Sequence, residues 1–304
     1  MGQLRPGRQQ FFGVFGQRYD ASGNANGPEF QINTHTLQSQ SNPAAAWIAS
    51  GSTVVVWQSE HQDGHLFGVF GQRYGASGTA SGPEFLVNAY TPGNQAYPAV
   101  AAAPDGSFVV VWEDSSQDGG GLGVFGQVFD DAGAPRGAEF RANTFTAGTQ
   151  GAPAVAWSRS DRFVVVWHGA NQDGSGFGIF GHRFDSTGAA LGSEFTVNSS
   201  TLGAQLLPAV AADPTGAFEV VWASGGYEGS GGGIFGQRYD AQGSPDGPEF
   251  VINSYTTGAP AFPVVASSDA GFVVAWQSAE QDGGGEGVLA QRYRGDLIFA
   301  DGFE

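Results

Sequence analysis

The sequence predicts an all-β protein, a five-bladed β-propeller with four antiparallel strands in each blade. Three observations lead to this fold: a repeat of about 55 residues, four strand-like segments within each repeat, and no segment with helical periodicity. The repeat is marked by tryptophans that each end an apolar run, with spacings of 55, 55, 55 and 54 residues. These are Trp57, Trp112, Trp167, Trp222 and Trp276.

One repeat shows the four predicted strands clearly. They are the small apolar run at 98–104, the run FVVVW at 108–112, GVFGQVF at 123–129 and EFRAN at 139–143. Turn-forming Gly, Asp and Pro residues separate them, as expected for short strands joined by tight connections. Four short strands per unit are typical of a propeller blade.

The second strand of each repeat is apolar on both faces, because Phe108, Val110 and Trp112 alternate with Val109 and Val111. A strand of this kind has to lie in a sheet that is covered on both sides. The small residues of the preceding run suit the innermost strand near a crowded axis, and the half-polar EFxVN run suits the outermost strand. A β-solenoid and a pair of β-sandwiches are the alternatives, although solenoid rungs are usually much shorter than 55 residues.

Strands from both termini are expected to close the ring. The third-strand motif occurs six times, first at 13–19 and last at 287–293, whereas the EF run occurs five times, beginning with 29–33. We expect 29–33 to complete the last blade beside 287–293, which would leave 13–19 outside the ring and no open sheet edge. Residues 1–295 then form a single propeller domain, and 296–304 form a C-terminal tail.

Composition excludes several functional classes. The net charge of −17 argues against nucleic acid and anionic membrane surfaces as partners, and no apolar run is long enough for a transmembrane helix. The chain has no Cys, so disulfides, thiolate catalysis and Cys-based zinc sites are excluded. No signal peptide is present at the start of this sequence, yet the acidity suits a secreted or cell-surface protein.

The consensus repeat PAVAAxxDGxFVVVWxSxxQDGxGxGVFGQRYDAxGxxxGxEFxVN resembles repeats of large bacterial cell-surface and RTX-type adhesin-like proteins. The resemblance covers residue 13 to about residue 294 and implies secretion and a modular surface role. The ending IFADGFE also resembles the ends of exported proteins of gram-negative bacteria. The resemblance provides no catalytic residues to transfer to this chain.

The function of the recurrent QDGxGxG loops has two possible interpretations, calcium binding and turn formation. Asp beside Gly, with exposed carbonyl groups, could bind calcium, which prefers six to eight oxygen ligands. Each loop offers a single certain carboxylate, however, and Asp-Gly also supplies the positive φ that a hairpin connection needs. We expect turns and no cofactor, with calcium as the alternative. The candidate calcium ligands are Asp63, Asp118, Asp173 and Asp282.

Candidate ligand-binding residues are repeated arginines and non-repeated aromatic residues. The arginines follow the Gln of the third strand, or the His182 that replaces it in one copy, and could build sites between blades or pair with a blade-edge carboxylate; they are Arg73, Arg183 and Arg238. The aromatic residues could serve as platforms for sugar rings. Most lie on the connection to the inner strand, and two lie on inner strands: Tyr90, Tyr97, Phe145, Tyr255, Phe262, Trp47 and Trp157.

Catalysis would need carboxylates that break the repeat symmetry at the axial mouth of the propeller. No inner strand carries Asp or Glu, and the symmetry-breaking acids are scattered. The sequence therefore predicts a non-enzymatic, lectin-like module that binds carbohydrate, with a purely structural or adhesive scaffold as the alternative and a glycoside hydrolase as the third reading. The expected partners are glycans or another surface protein, and the expected state is a monomer or weak dimer.

Overall fold

The fold is described by a computed structural model that covers residues 11–48, 51–159, 161–225, 232–255, 259–268, 271–279, 281 and 284–294. The described residues form strands and turns and include no α-helix, which confirms the all-β prediction. Within them, no helix is long and apolar enough to span a membrane. The tail predicted at 296–304 lies outside the described residues.

Six antiparallel sheets follow one another along the chain. An N-terminal pair comes first, with strands β1 (Phe15–Gly16) and β2 (Phe30–Gln31). The first full sheet contains β3 (Gln40–Ile48), β4 (Ser52–Glu60), β5 (Phe67–Tyr74) and β6 (Phe85–Leu86). The second full sheet contains β7 (Gln95–Ala102), β8 (Phe108–Asp114), β9 (Gly123–Phe129) and β10 (Pro135–Arg141).

Two further full sheets and a three-stranded sheet complete the described chain. The third full sheet contains β11 (Gln150–Arg159), β12 (Arg162–Ala170), β13 (Phe177–Asp185) and β14 (Phe195–Thr196). The fourth contains β15 (Gln205–Ala212), β16 (Phe218–Ser224), β17 (Gly233–Tyr239) and β18 (Phe250–Val251). The last sheet contains β19 (Ala261–Ser268), β20 (Gly271–Ala279) and β21 (Glu286–Arg294).

The core lies between neighbouring sheets, as the two-faced apolar second strands require. Val54 and Val56 of the first full sheet pack with Phe108 and Trp112 of the second, and the same type of cluster recurs at the later junctions. The repeated tryptophans are all buried. Each of the four full sheets therefore packs its apolar faces against the sheets before and after it, which is the packing expected of propeller blades.

Two repeated polar contacts join neighbouring sheets at their outer parts. In each of the four full sheets, the Glu of the EF run accepts a hydrogen bond from a backbone N–H that follows the preceding sheet, as Glu139 does from Ala89 N at 2.8 Å. The same Glu139 also accepts from Gln117 Nε2 of its own QDG loop at 2.8 Å. The third-strand arginines donate to a turn of the following sheet, as Arg73 does to the carbonyl of Asp131 at 2.6 Å.

The expected closure by strands from both termini is not confirmed. Residue Phe30 of β2 pairs with Gly16 of β1 and not with the third strand of the last sheet. In the last sheet, β21 is an edge strand with no fourth strand among the described residues. The third-strand copy at 13–19 is therefore the one that lies beside 29–33, contrary to the expectation.

A single side chain explains this outcome. Wherever a third strand pairs with an EF strand, the Phe faces a glycine, and its ring lies over the glycine Cα. A Cβ on Gly181 would come within 2.7 Å of Phe195 Cζ, and a Cβ on Gly126 within 2.6 Å of Phe140 Cζ. The equivalent residue of the last sheet is Ala290, whose methyl group occupies the space that the Phe ring needs.

This explanation predicts opposite responses to two substitutions. Gly181→Ala should lower the free energy of unfolding by about 1–3 kcal/mol, because the new methyl group overlaps the ring of Phe195. Ala290→Gly, the matched control in the strand without a fourth partner, should change it by less than about 1 kcal/mol. Urea unfolding of the two variants measures the difference, and equal effects would contradict the explanation.

Candidate functional site

The inner strands carry a strained residue at the same level in every sheet. Asn42, Tyr97, Ala152, Leu207 and Phe262 recur every 55 residues, and their φ values lie between 48° and 55°. Register shifts mark a β-bulge here, for example between Ala96 and Ala99. Non-glycine residues rarely adopt this conformation, and β-bulges often redirect a side chain near a functional site. We call these five residues the bulge ring.

Beside the bulge ring, the repeat symmetry breaks. The residue directly after each repeated Trp pairs with the inner strand at the level of the bulge, and its identity changes from sheet to sheet. The five residues are Gln58, Glu113, His168, Ala223 and Gln277. Gln58 Oε1 accepts a hydrogen bond from Tyr97 N of the next sheet at 3.0 Å, so this side chain crosses the junction to the neighbouring inner strand.

Glu113 and His168 meet at Gly151, which lies on β11, the inner strand of the sheet that contains His168. Glu113 Oε1 accepts a hydrogen bond from Ala152 N at 2.6 Å. A Cβ on Gly151 would lie 2.9 Å from Glu113 Oε1 and 3.3 Å from His168 Nε2. The absence of a side chain at Gly151 therefore leaves the room that brings a carboxyl group and an imidazole to the same point.

Burial shifts the pKa of both groups. It raises the pKa of Glu113, and the hydrogen bond from Ala152 N only partly offsets this effect. Burial also lowers the pKa of His168 to about 4, so the imidazole is neutral near pH 7. His168 Nδ1 is buried without a hydrogen-bond partner among the described residues. A carboxyl group with a raised pKa thus lies close to a neutral imidazole, an arrangement able to donate and accept protons.

Two other carboxyl groups with a raised pKa, those of Asp114 and Glu219, lie apart from this pair. Asp114 is fully buried and accepts hydrogen bonds from Gln95 Nε2, Ser116 N and Gln117 N, so it fastens the start of its QDG loop. Glu219 lies near the opposite end of its second strand, and Arg238 Nε is 3.9 Å from its carboxylate. Burial raises the pKa of Glu219 to about 7 despite that positive charge.

The predicted aromatic residues are distributed over several places. Tyr97 and Phe262 belong to the bulge ring and are 57% and 61% exposed. Tyr90, Phe145 and Tyr255 lie on the connections between sheets, where their carbonyl groups accept hydrogen bonds from a repeated Asn. Trp157 packs against Phe163, with ring centroids 5.2 Å apart, whereas Trp47 is 72% exposed beside the N-terminal pair.

The predicted arginines contact the protein itself. Arg73 and Arg183 donate to carbonyl groups of the following sheet, those of Asp131 and Gln242. Arg238 lies near Glu219 and, at 3.5 Å, near Asp246. The contacts of Arg73 and Arg183 join neighbouring sheets. Arg238 instead lies near carboxylates, which is the kind of partner that the sequence offered as the alternative to a ligand.

The QDG aspartates act as turn residues. Asp63, Asp118 and Asp173 each accept a backbone N–H two residues ahead, at 3.0 Å. Asp282 lies outside the described residues. Among the described residues, no group of three or more His, Cys, Asp and Glu side chains is arranged to hold a metal ion.

Comparison with solved structures places this fold among known ones. An α-L-arabinanase from Penicillium chrysogenum, solved with arabinobiose, matches with a TM-score of 0.55 and 14% identity over 80% of this chain and 76% of that chain. A thermostable family-43 glycoside hydrolase matches with a TM-score of 0.50 and 10% identity over 85% and 91%. A Dyadobacter fermentans protein of unknown function matches with a TM-score of 0.63 and 10% identity over 92% and 84%.

No family model matches the chain, and no curated protein matches its sequence. The structural similarity therefore concerns the fold, which supports the propeller prediction. The prediction of a non-enzymatic, lectin-like module is wrong, because the similar structures of stated activity are glycoside hydrolases. The same finding corrects the expectation that the chain is not an enzyme.

The sequence does not predict Glu113 and His168 as a pair, because neither residue lies on an inner strand. The carboxyl group reaches the inner-strand level from the second strand, across a sheet junction. The available signal was the residue after each Trp, which is the position where an otherwise regular repeat carries Gln, Glu, His and Ala.

Glu219 generates a prediction about stability and pH. A buried carboxyl group whose pKa is raised from 4.5 to about 7 keeps its proton in the folded protein where the unfolded chain has lost it. Stability therefore falls as the pH rises from about 4.5 to 7. Glu219→Val introduces the valine that the other repeats carry at this position, and it should remove this pH dependence of stability. The variant should gain on the order of 1–3 kcal/mol at pH 8.

Urea unfolding between pH 5 and pH 8 measures the effect, and Asp246→Asn serves as a control that removes a largely exposed carboxylate near the same Arg238. This control variant should retain the decrease in the free energy of unfolding between pH 5 and pH 8. A wild-type slope that persists unchanged in Glu219→Val would show that Glu219 ionises normally in the folded protein.

Proposed function

We propose that this chain is a five-bladed propeller enzyme of the glycoside hydrolase class, acting on a polysaccharide that contains arabinofuranosyl units. The observation that supports this proposal is the Glu113–His168 pair at Gly151, where burial raises the pKa of the carboxyl group beside a neutral imidazole. The fold shared with an α-L-arabinanase and a family-43 glycoside hydrolase supports the substrate class.

In this proposal, Glu113 is the general acid. Cleavage of a glycosidic bond requires a proton on the departing oxygen, and a carboxyl group with a raised pKa retains that proton at mildly acidic pH. The hydrogen bond from Ala152 N fixes one carboxyl oxygen at the bulge ring. The other oxygen is then available to donate its proton to the leaving group.

His168 takes the role of the base in the proposed reaction. A water molecule placed beside the neutral imidazole can lose a proton to it while the water oxygen attacks the anomeric carbon. Most glycoside hydrolases use two carboxyl groups for these roles, whereas this pair combines a carboxyl group with an imidazole. The products are a shortened glycan and a free reducing sugar.

Tyr97 provides the accompanying binding surface. It is 57% exposed and follows Ala96, the residue that pairs with Glu113. Gln58 Oε1 holds its backbone N–H at 3.0 Å, which fixes the strained backbone from which the ring projects. An exposed aromatic ring beside polar groups is a common arrangement in ligand sites, and here it can stack on a sugar ring.

The proposal predicts hydrolysis of 4-nitrophenyl α-L-arabinofuranoside or of linear arabinan. Glu113→Gln should lower kcat by at least about 100-fold, within the usual range for loss of a general acid. The first full sheet carries Gln58 at this position, so the fold accommodates glutamine there. Glu60→Gln is the control on another sheet and should leave the rate unchanged. Absence of activity on arabinan, xylan and aryl glycosides would overturn the proposal.

The pH profile should follow the two groups. Activity should fall below about pH 4 as His168 takes up a proton, and it should fall at high pH as Glu113 loses its proton. His168→Gln, which introduces the residue of the first and last sheets, should abolish the acidic limb together with most of the rate. An acidic limb that is unchanged in this variant would assign the base to another residue.

A further inference from the structure

Two exposed surfaces of this chain correspond to the two halves of its internal sheet junctions. At the junction between the first and second full sheets, Val69 packs in the same core as Phe125. Arg73 then reaches over the turn that follows β9, donating to the Asp131 carbonyl at 2.6 Å. A Cβ on Gly133 of that turn would lie 2.7 Å from Arg73 Nε, so the glycine is the seat of the arginine.

The forward half of such a junction is exposed on the last sheet. Val264, Val273 and Val288 are 60%, 39% and 84% exposed, although they correspond to residues 44, 54 and 69 of the first full sheet. Arg292, the counterpart of Arg73, is exposed on the same face. The last sheet thus presents the apolar residues and the arginine that elsewhere contact a following sheet.

The receiving half lies on the face of the N-terminal pair that points away from the first full sheet. The opposite face of the pair carries Val14, which packs with Val55 and Trp57 of that sheet. Phe15 and Tyr19 lie on the outward face and are 56% and 64% exposed. By position in the repeat they correspond to Phe125 and Phe129, which pack against the first full sheet from the second.

This outward face also has an empty arginine seat. Gly78, Gly133 and Gly243 each lie beneath an arginine of the preceding sheet. Gly23 has the same left-handed backbone, with φ of 79°, and no atom of the described chain lies within 4 Å of the position of its Cβ. The last sheet therefore carries an exposed arginine, and the N-terminal pair carries an unoccupied place for one.

We propose that the last sheet of one molecule docks onto this outward face of the N-terminal pair in a second copy, with Val288 against Phe15 and Tyr19 and Arg292 over the turn at Gly23. The contact extends an interface that the chain already makes between its own sheets. Both halves are exposed in a single chain, so that chain does not bring them together.

Intramolecular closure would require the successive sheets to tilt against one another. The cores between them contain residues with no exposed surface, such as Trp112 and Trp167, and close-packed cores resist such a change. A second molecule can dock without altering them. The contact joins unlike surfaces, so it is heterologous, and each copy retains a free half for a further copy or for reciprocal pairing.

Sedimentation velocity over a range of protein concentrations tests the proposal. The weight-average mass should rise above the 31.4 kDa of the chain as concentration increases, and more steeply at higher salt, because each copy carries a net charge of −17. Val288→Glu should remain monomeric. Leu202→Glu, which changes a residue that is 61% exposed on a connection elsewhere, should associate like wild type.

Engineered cysteines identify the contacting surfaces, since the chain has no Cys of its own. Arg292→Cys and Ser22→Cys are prepared as separate proteins and mixed under mild oxidation. A mixed disulfide dimer, more abundant than either homodimer, is the expected result. A monomeric mass at every concentration would overturn the proposal. So would a double variant that forms the disulfide only within one chain, because that result would show closure on itself.

Discussion

The structure depends on second strands that are apolar on both faces. A strand such as β8 cannot be stable in an isolated sheet, because Phe108, Val110 and Trp112 on one face and Val109 and Val111 on the other would contact water. Each sheet consequently needs a neighbour on both sides, and sequence repetition supplies one every 55 residues. The hydrogen bonds of Glu139 and Arg73 at the outer parts of the sheets fix how neighbouring sheets are positioned and oriented relative to each other.

The same constraint determines where chemistry can arise. Packing between sheets restricts the core positions to apolar residues of similar size. The residue type can therefore vary from repeat to repeat only at positions whose side chains lie outside these cores. The position after the Trp is such a place, since it reaches the bulge ring of the adjacent inner strand. Glu113 and His168 occupy this position in consecutive sheets and converge on Gly151. Their altered pKa values arise from the burial that the junction imposes.

Much of the fold could be predicted from periodicity alone. The third strand predicted at 123–129 is β9 without change, and the run predicted at 108–112 lies within β8. The strand that pairs with 29–33 could not be predicted from the repeat, because the two copies of the third strand differ at one position, Gly16 and Ala290. Glycine at 16 leaves room for the ring of Phe30, whereas a methyl group at 290 would meet a ring placed in the same way.

The candidate site was harder to predict than the fold. Tyr97 was found as an exposed aromatic residue, but Glu113 and His168 belong to different sheets and are 55 positions apart in the sequence. Their proximity depends on a β-bulge that turns Ala152 N toward the preceding sheet. The partners of Arg73 and Arg183 could not be predicted for a related reason, since they are carbonyl groups of the next sheet, which leave no sequence signature.

The central claim is that burial raises the pKa of Glu113 and keeps the neighbouring His168 neutral. Nuclear magnetic resonance with carbon-13 in the glutamate carboxyl groups and nitrogen-15 in the imidazoles measures both states directly. The account predicts that His168 stays neutral from pH 5 to pH 8 and that the Glu113 signal titrates above the range of the exposed glutamates. A His168 that titrates near pH 6.5, with Glu113 ionising like an exposed carboxyl group, would contradict it.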